Sequence, residues 1–175
     1  MINYDEKQIL ELTDTTLTFN EIYLKPYFPE RYEEDIKRAN VLLIPQYFRD
    51  YDHVVFPEQT SRFFEYIKEK SIGTGIIPEI CISDEEYREL QLHDSTINLP
   101  ELIAQLIFFP ILTSIIAAYF YEKIKERGHK DEPLKATINI TVESDGKSKR
   151  IHYEGNADKF DDVMKTVNKR LKKIL

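Results

Sequence analysis

The chain has 175 residues, a length that suits one or two domains around a single sizeable core. A hydrophobic fraction of 42% and a charged fraction of 31% exclude a disordered tail and a fibrous repeat. One cysteine excludes an intrachain disulfide, and a net charge of −7 disfavours a protein that coats nucleic acid.

The N-terminal segment and the lone cysteine both favour a cytoplasmic protein. The segment is acidic and has no apolar stretch, so it does not resemble a secretory signal. Cys81, without a partner, fits a reducing compartment. Acidic residues outnumber basic ones in residues 1–98, and the reverse holds in residues 122–175. Ordinary solvated surface explains this asymmetry, and an orienting field at an interface is the alternative.

The first part of the chain is predicted to be α/β. After an irregular or short-strand entry, apolar runs alternate with segments of helical spacing. The pattern predicts, in order, a helix over 30–39, strands over 41–44 and 54–56, a helix over 58–70 and a strand over 76–82. The last strand–helix–strand sequence predicts a parallel, right-handed βαβ crossover.

The middle of the chain holds its most unusual segment. Residues 102–121 carry no charge. Pro100 suits the first turn of a helix, and Gly128, which follows several basic residues, suits its end. The sequence therefore predicts one helix over residues 100–127. Pro110 lies inside that range and is predicted to kink the helix.

Two locations suit so long an apolar helix. Twenty uncharged residues would span about 30 Å, the thickness of a bilayer core, so residues 102–121 could insert into a membrane. A buried core or a dimer interface also suits such a helix, and we prefer this location because the sheet needs a covering element. The side chains predicted to mediate self-association are Phe108, Phe109, Ile115 and Tyr119.

The tail is predicted to form a ββα unit. Residues 136–143 alternate between polar and apolar side chains, and residues 149–153 return on the matching face. Asp145-Gly146 between them is a strong hairpin signal. Residues 157–173 then show helical spacing.

The same pattern divides the chain into two predicted domains. Residues 1–128 form an α/β domain that contains the apolar helix, and residues 129–175 form the ββα module. The polar surface of this module is rich in lysine and arginine, including Lys169 and Arg170. We expect a docking face for a protein partner there, with a merely solvated face as the alternative.

The sequence shows no catalytic or metal-binding motif. Phosphate-binding glycine loops, C-x-x-C, H-E-x-x-H and G-x-S-x-G are all absent, and the histidines lack metal-ligand spacing. No metal or other cofactor is therefore expected. Loops that carry Asp50, Asp52 and His53, and His93, could meet at one end of a parallel sheet and form a general base. Hydrogen-bonded loop residues are the alternative interpretation.

Several segments together resemble one group of bacterial proteins. They are Val41–Pro45, Val55–Pro57, His93 followed by Leu99-Pro100 and the apolar run, and Ile151–Gly155 within the final ββα unit. In this combination the chain resembles small accessory proteins of bacterial conflict, or anti-phage, systems. The resemblance covers most of the chain and implies a role in defence, but it assigns no functional residue.

The sequence thus predicts an α/β fold with a short mixed or parallel sheet, packed on a long apolar kinked helix and followed by a ββα tail. The favoured function is a non-enzymatic interaction or accessory protein that forms a homodimer through the apolar helix and binds no nucleic acid. The alternatives are a membrane-inserting effector that uses residues 102–121, and a small hydrolase with a His/Asp loop site.

Overall fold

A computed structural model describes residues 8–48, 50–92, 95–128 and 130–175 of the chain. The fold is mixed α/β, with a long apolar helix followed by a strand–strand–helix tail, and this confirms the predicted fold class.

The elements of the described part follow in chain order. The strands are β1 (Ile9–Thr15), β2 (Val41–Ile44), β3 (Gln46–Tyr47), β4 (Val54–Pro57), β5 (Pro78–Ile80), β6 (Glu89–Leu90), β7 (Ile97–Asn98), β8 (Glu101–Gln105), β9 (Lys135–Ser144) and β10 (Lys147–Asn156). The α-helices are α1 (Phe19–Tyr23), α2 (Glu33–Arg38), α3 (Thr60–Ser71), α4 (Phe109–Arg127) and α5 (Phe160–Ile174). Short 3-10 turns at Glu30–Tyr32, Leu106–Phe108 and Ala157–Lys159 lead into α2, α4 and α5.

Seven of these strands form the main sheet. Its order is β1-β10-β9-β8-β2-β5, and the short β7 also pairs with β9. The β1·β10, β9·β10 and β2·β8 pairs are antiparallel, whereas β8·β9, β7·β9 and β2·β5 are parallel. A smaller sheet contains β3, β4 and β6.

The β9–β10 hairpin follows directly from the local sequence. Asp145 and Gly146 have φ angles of 50° and 79°, as a tight hairpin turn of the favoured hand requires. The register places Ile140 opposite Ile151 and Ile138 opposite Tyr153. The alternating apolar residues therefore share one side of the sheet, as predicted.

A layer of helices lies on that side, which we call the covered face. The rings of Phe120 in α4 and Phe160 in α5 are 5.1 Å apart, and Phe160 is 5.6 Å from Tyr153 of β10. On the other flank of α4, Tyr119 lies 5.1 Å from Phe63 of α3. These edge-to-face contacts join α3 to α4, α4 to α5 and α5 to the sheet, around one apolar core.

The opposite side of the sheet is covered over only part of its width. The backbone N–H of Phe19 in α1 donates to the carboxylate of Glu143 at 3.1 Å, which ties α1 to this side. Leu42 and Ile103 are paired here and fully buried. The remainder carries partly exposed polar side chains, and we call it the open face: Glu101, Thr137, Asn139, Arg150, His152 and Glu154.

The prediction of one helix over residues 100–127 is wrong in its first third. Residues 101–105 are the strand β8, which lies between β2 and β9, and Leu102, Ile103 and Ala104 are fully buried. A strand that is buried on both faces does not need alternating polar and apolar residues. In the sequence, β8 and the helix after it therefore form one continuous apolar segment. Pro110 is the second residue of α4, so it stabilises the helix start and does not kink the interior.

The predicted βαβ crossover has the wrong first strand. Val54–Pro57 belongs to the smaller sheet, and the parallel partner of β5 is β2. Periodicity identifies a buried strand but does not identify its neighbour, and two apolar strands precede α3 in this chain.

The division at residues 128 and 129 stays a prediction about folding units. The strands on either side of it are hydrogen-bonded to each other, because β9 pairs with β8 and β10 pairs with β1. Side chains from both parts also meet in the same apolar core.

Candidate functional site

The apolar helix directs most of its large side chains into its own chain. Phe109 has 0% of its surface exposed, and Ile115 and Tyr119 are also buried in the core. Phe108 is half-buried, and its ring packs beside Gly75, where an added Cβ would lie 3.1 Å from the ring. Three of the four predicted self-association residues therefore serve the core of one chain.

A different set of residues forms the outward surface of this helix and of the 3-10 turn, Leu106–Phe108, that leads into it. Ile107 is 76% exposed and Tyr121 is 63% exposed. Ser114 and Ala118 are exposed between them, and Ile111 is half-buried. The five positions recur at three- and four-residue spacing, so they form one stripe, which we call the outer face of α4. The uncharged segment made this stripe visible in the sequence, but its uniform apolarity hid which side would face outward.

The helix also has the length and the apolar composition of a membrane span. The segment Leu106–Arg127 is long and apolar enough to cross a bilayer by length and composition. Core helices of soluble proteins can have the same length and apolar composition, and seven residues of α4 are buried within the fold. In this structure the helix is thus one-sided, with a core face and the outer face.

The surface of α5 separates its charges along the helix. Asp161 and Asp162 lie in the first turn, and Lys165 pairs with Asp161 at 3.1 Å. The predicted docking residues Lys169 and Arg170 are both exposed in the second half. They lie together with Lys172 and Lys173, where cations also suit the negative end of the helix dipole.

The residues of the predicted hydrolase site are only partly described. His93 and Asp94 lie outside the described residues, so the proposed pairing has no geometry. His53 and Asp52 are exposed and line an open cavity of about 350 Å³, together with Arg88. Among the residues that the structure does describe, no group of three histidine, cysteine or acidic side chains could hold a metal ion.

Cys81 is a core residue. Its side chain is fully buried, and burial raises the pKa of the thiol to about 12. A thiol in such surroundings stays protonated at neutral pH and is a poor nucleophile.

The open face holds two separate groups of hydrogen-bonded polar side chains. Nδ1 of His152 lies 2.6 Å from Oδ1 of Asn139, and Nε2 of His152 lies 3.0 Å from Oε1 of Glu154. In the second group, Nε of Arg150, also on β10, donates to Oε1 of Glu101 on β8 at 3.5 Å. Three neighbouring strands thus hold these groups at fixed positions on a rigid sheet.

Two tyrosines stand at the edge of the open face. Tyr27 is buried, whereas Tyr47 is 65% exposed. Burial, with smaller contributions from Cys81 and Glu101, raises the pKa of Tyr27, so its phenol stays neutral at physiological pH. Both residues line an open cavity of about 540 Å³, which also reaches Glu101, Asn139 and Arg150.

Sequence reasoning did not single out the open face. Its residues are the ordinary polar positions of alternating strands, and such positions are usually just solvated. Glu101 and Arg150 meet only because β8 and β10 flank β9, a pairing that no local pattern signals.

Comparisons with protein-family models, curated proteins and solved structures found no match to this chain.

Proposed function

We propose that this protein is a non-enzymatic interaction protein that self-associates as a homodimer through the outer face of α4. The observation that carries the proposal is the outward stripe from Ile107 to Tyr121, which has no charge over four helical turns and keeps both large end residues exposed. An uncharged outward stripe with exposed large apolar side chains is a candidate interaction site.

The stripe is self-complementary, which favours a second copy of the chain as its partner. Ser114 lies at the centre, seven residues from Ile107 and seven from Tyr121. Two helices that cross about a twofold axis at Ser114 would place Ile107 of one protomer against Tyr121 of the other. Ser114 and Ala118 are small, so the two backbones could approach closely at the centre.

The end of α5 suits a second protein. Lys169, Arg170, Lys172 and Lys173 are exposed, and they project from a different helix than the stripe. A partner with an acidic surface would match them. Because the chain resembles accessory proteins of bacterial conflict systems, we propose that this interaction serves a defence system in the cytoplasm.

The test is the mass of the full chain in solution without detergent. Light scattering coupled to size exclusion should give twice the 20.8 kDa chain mass. The variant Ile107→Ser/Tyr121→Ser should elute as a monomer with an unchanged circular dichroism spectrum, because neither side chain is in the core.

A matched control carries the same chemical change elsewhere. Leu24 and Ile72 are 80% and 81% exposed and lie outside α4, so Leu24→Ser/Ile72→Ser should remain a dimer. A wild-type chain that is monomeric throughout the micromolar range, or an Ile107→Ser/Tyr121→Ser variant that is still dimeric, would contradict the proposal.

A membrane-acting protein is the second candidate, because the helix is long and apolar enough to span a bilayer. The outer face would then contact lipid, and insertion would require Phe109 and its neighbours to leave the core. Flotation of the wild-type chain with lipid vesicles, lost in the same double variant, would support this candidate. A homogeneous dimer that does not float would exclude it as the resting state.

A further inference from the structure

The polar side chains that line the cavity beside the open face are mainly hydrogen-bond donors. Among the described residues, the side chain of Arg150 has one hydrogen-bond partner, the carboxylate of Glu101, which contacts only its Nε atom. Its two terminal amino groups therefore remain available. The amine of Lys25, which lines the same cavity, is exposed and forms no ion pair within the described chain.

Asn139 adds a polar side-chain amide at a fixed position. The amide lies against the His152 ring, with 2.6 Å between its Oδ1 atom and Nδ1 of the ring. His152 is held in place from its far side by Glu154 at 3.0 Å. Which amide atom faces the ring follows the tautomer of His152, and the other amide atom is left for a ligand. The Asn139 amide is thus positioned before any ligand arrives.

The charge of the cavity lining is positive. Lys25 and Arg150 supply two cations, and Glu101 supplies one carboxylate, in a chain whose net charge is −7. A local cationic site on an acidic protein attracts small anions, whereas the net charge of −7 disfavours the binding of a long polyanion.

Apart from Gln46, the remaining lining residues are aromatic or aliphatic. They are Leu17, Tyr27, Ile44, Pro45 and Tyr47. Aromatic walls with a few convergent polar groups are typical of small-molecule sites. The volume of about 540 Å³ is within the usual range for such sites.

We propose that this cavity binds a small organic anion that joins a carboxylate or phosphate group to a flat apolar body. The terminal amino groups of Arg150 and the Asn139 amide contact the anionic group, and Lys25 adds its charge. Tyr47 packs against the apolar body. The site is separate from the outer face of α4, so it is independent of the proposed self-association.

The test titrates three small probes into the isotopically labelled full chain and follows its NMR spectrum. Benzoate and phenyl phosphate carry the two candidate anionic groups, and neutral benzamide is the matched control. We expect saturable shifts of the Arg150 Nε–H and Asn139 side-chain amide signals with an anionic probe, with a dissociation constant of about 1 mM. The stronger of the two anions identifies the group preferred.

Variants then assign the binding to the cavity. Arg150→Gln should weaken the preferred anion by about tenfold, since a charge-assisted contact is lost. Lys169→Gln removes an exposed cation on α5 and should change the affinity by less than about twofold. Should Arg150→Gln fail to fold, Lys25→Gln and Tyr47→Ala serve instead, because both side chains are exposed, and each should weaken binding severalfold.

Three results would overturn the proposal. They are the absence of saturable shifts with either anion, equal affinity for benzamide and benzoate, and unchanged affinity in the cavity variants.

Discussion

The covered and open faces of the β9–β10 hairpin come from alternate residues of the same two strands, yet they differ in burial and in polarity. Ile140 and Ile151 meet a layer of helices and lose all contact with water. Asn139 and His152, one position away, stay partly exposed and bond to each other. The same two strands that place Ile140 and Ile151 in the core also hold Asn139 and His152. Packing on the covered face therefore keeps the polar side chains of the open face in fixed positions.

The largest expected difference between the faces is in stability. Phe160→Ala removes a fully buried ring that contacts Phe120 and Tyr153, so we expect the free energy of unfolding to fall by about 3–5 kcal/mol. Thr13→Ala, an exposed change on the strand next to β10, should alter it by less than about 0.5 kcal/mol. Urea unfolding measures both values, and similar losses in the two variants would refute the assignment of the core to the covered face.

The covered face should also make the fold sensitive to alkaline pH. The phenol of Tyr153 donates to the carbonyl oxygen of Asn156, and burial, assisted by nearby Asp158, raises its pKa to about 12. In an unfolded chain the phenol loses its proton near pH 10. Between about pH 10 and about pH 12 the unfolded state therefore binds fewer protons than the folded state, and stability falls as pH rises.

The size of this effect is intermediate. The raised pKa of Tyr153 corresponds to a loss of about 2 kcal/mol across that interval, and it is absent below about pH 9. Unfolding by urea at a series of pH values measures the decline. Tyr153→Phe should have a shallower decline than the wild-type chain, and an identical slope would show that the phenol does not contribute. Tyr119, whose pKa burial also raises to about 12, accounts for part of the decline that remains.

The open face should give the smallest effect. His152→Ala removes the contacts to Asn139 and Glu154, which are both partly exposed to solvent, so we expect a loss of about 1 kcal/mol or less. A double-mutant cycle with Asn139→Ala should give a coupling energy of about 0.5–1 kcal/mol. A loss as large as that of Phe160→Ala would mean that the open face is a structural network and not an available surface.

The sequence predicted best where local rules decide the structure. The Asp145-Gly146 turn, the alternation along β9 and β10 and the spacing in α5 all agree with the fold, because each depends on residues a few positions apart. The predicted start of the apolar helix failed, since an apolar strand buried on both faces and an apolar helix have the same composition. Only the pairing of β8 with β2 and β9 separates them.

The proposed functional surfaces depend on information that one sequence does not contain. The apolar segment was visible, but which of its residues point outward depends on the positions of α3 and α5. Ile107 and Tyr121 were therefore missed in favour of Phe109 and Tyr119. Arg150 and Glu101 are 49 residues apart, and neither forms part of a motif, so their meeting on the open face required the sheet order itself.

The pairing of β1 with β10 has a consequence for synthesis on the ribosome. Ile9 is opposite Glu154 in the register, so β1, the first described strand, has its neighbour only after β10, the last described strand, has left the ribosome. Until then the backbone N–H and C=O groups of β1 are unpaired, and its apolar side chains are exposed. Such a strand can bind chaperones or other nascent chains. This edge of the sheet therefore forms late, because it joins the first and the last strands of the described chain.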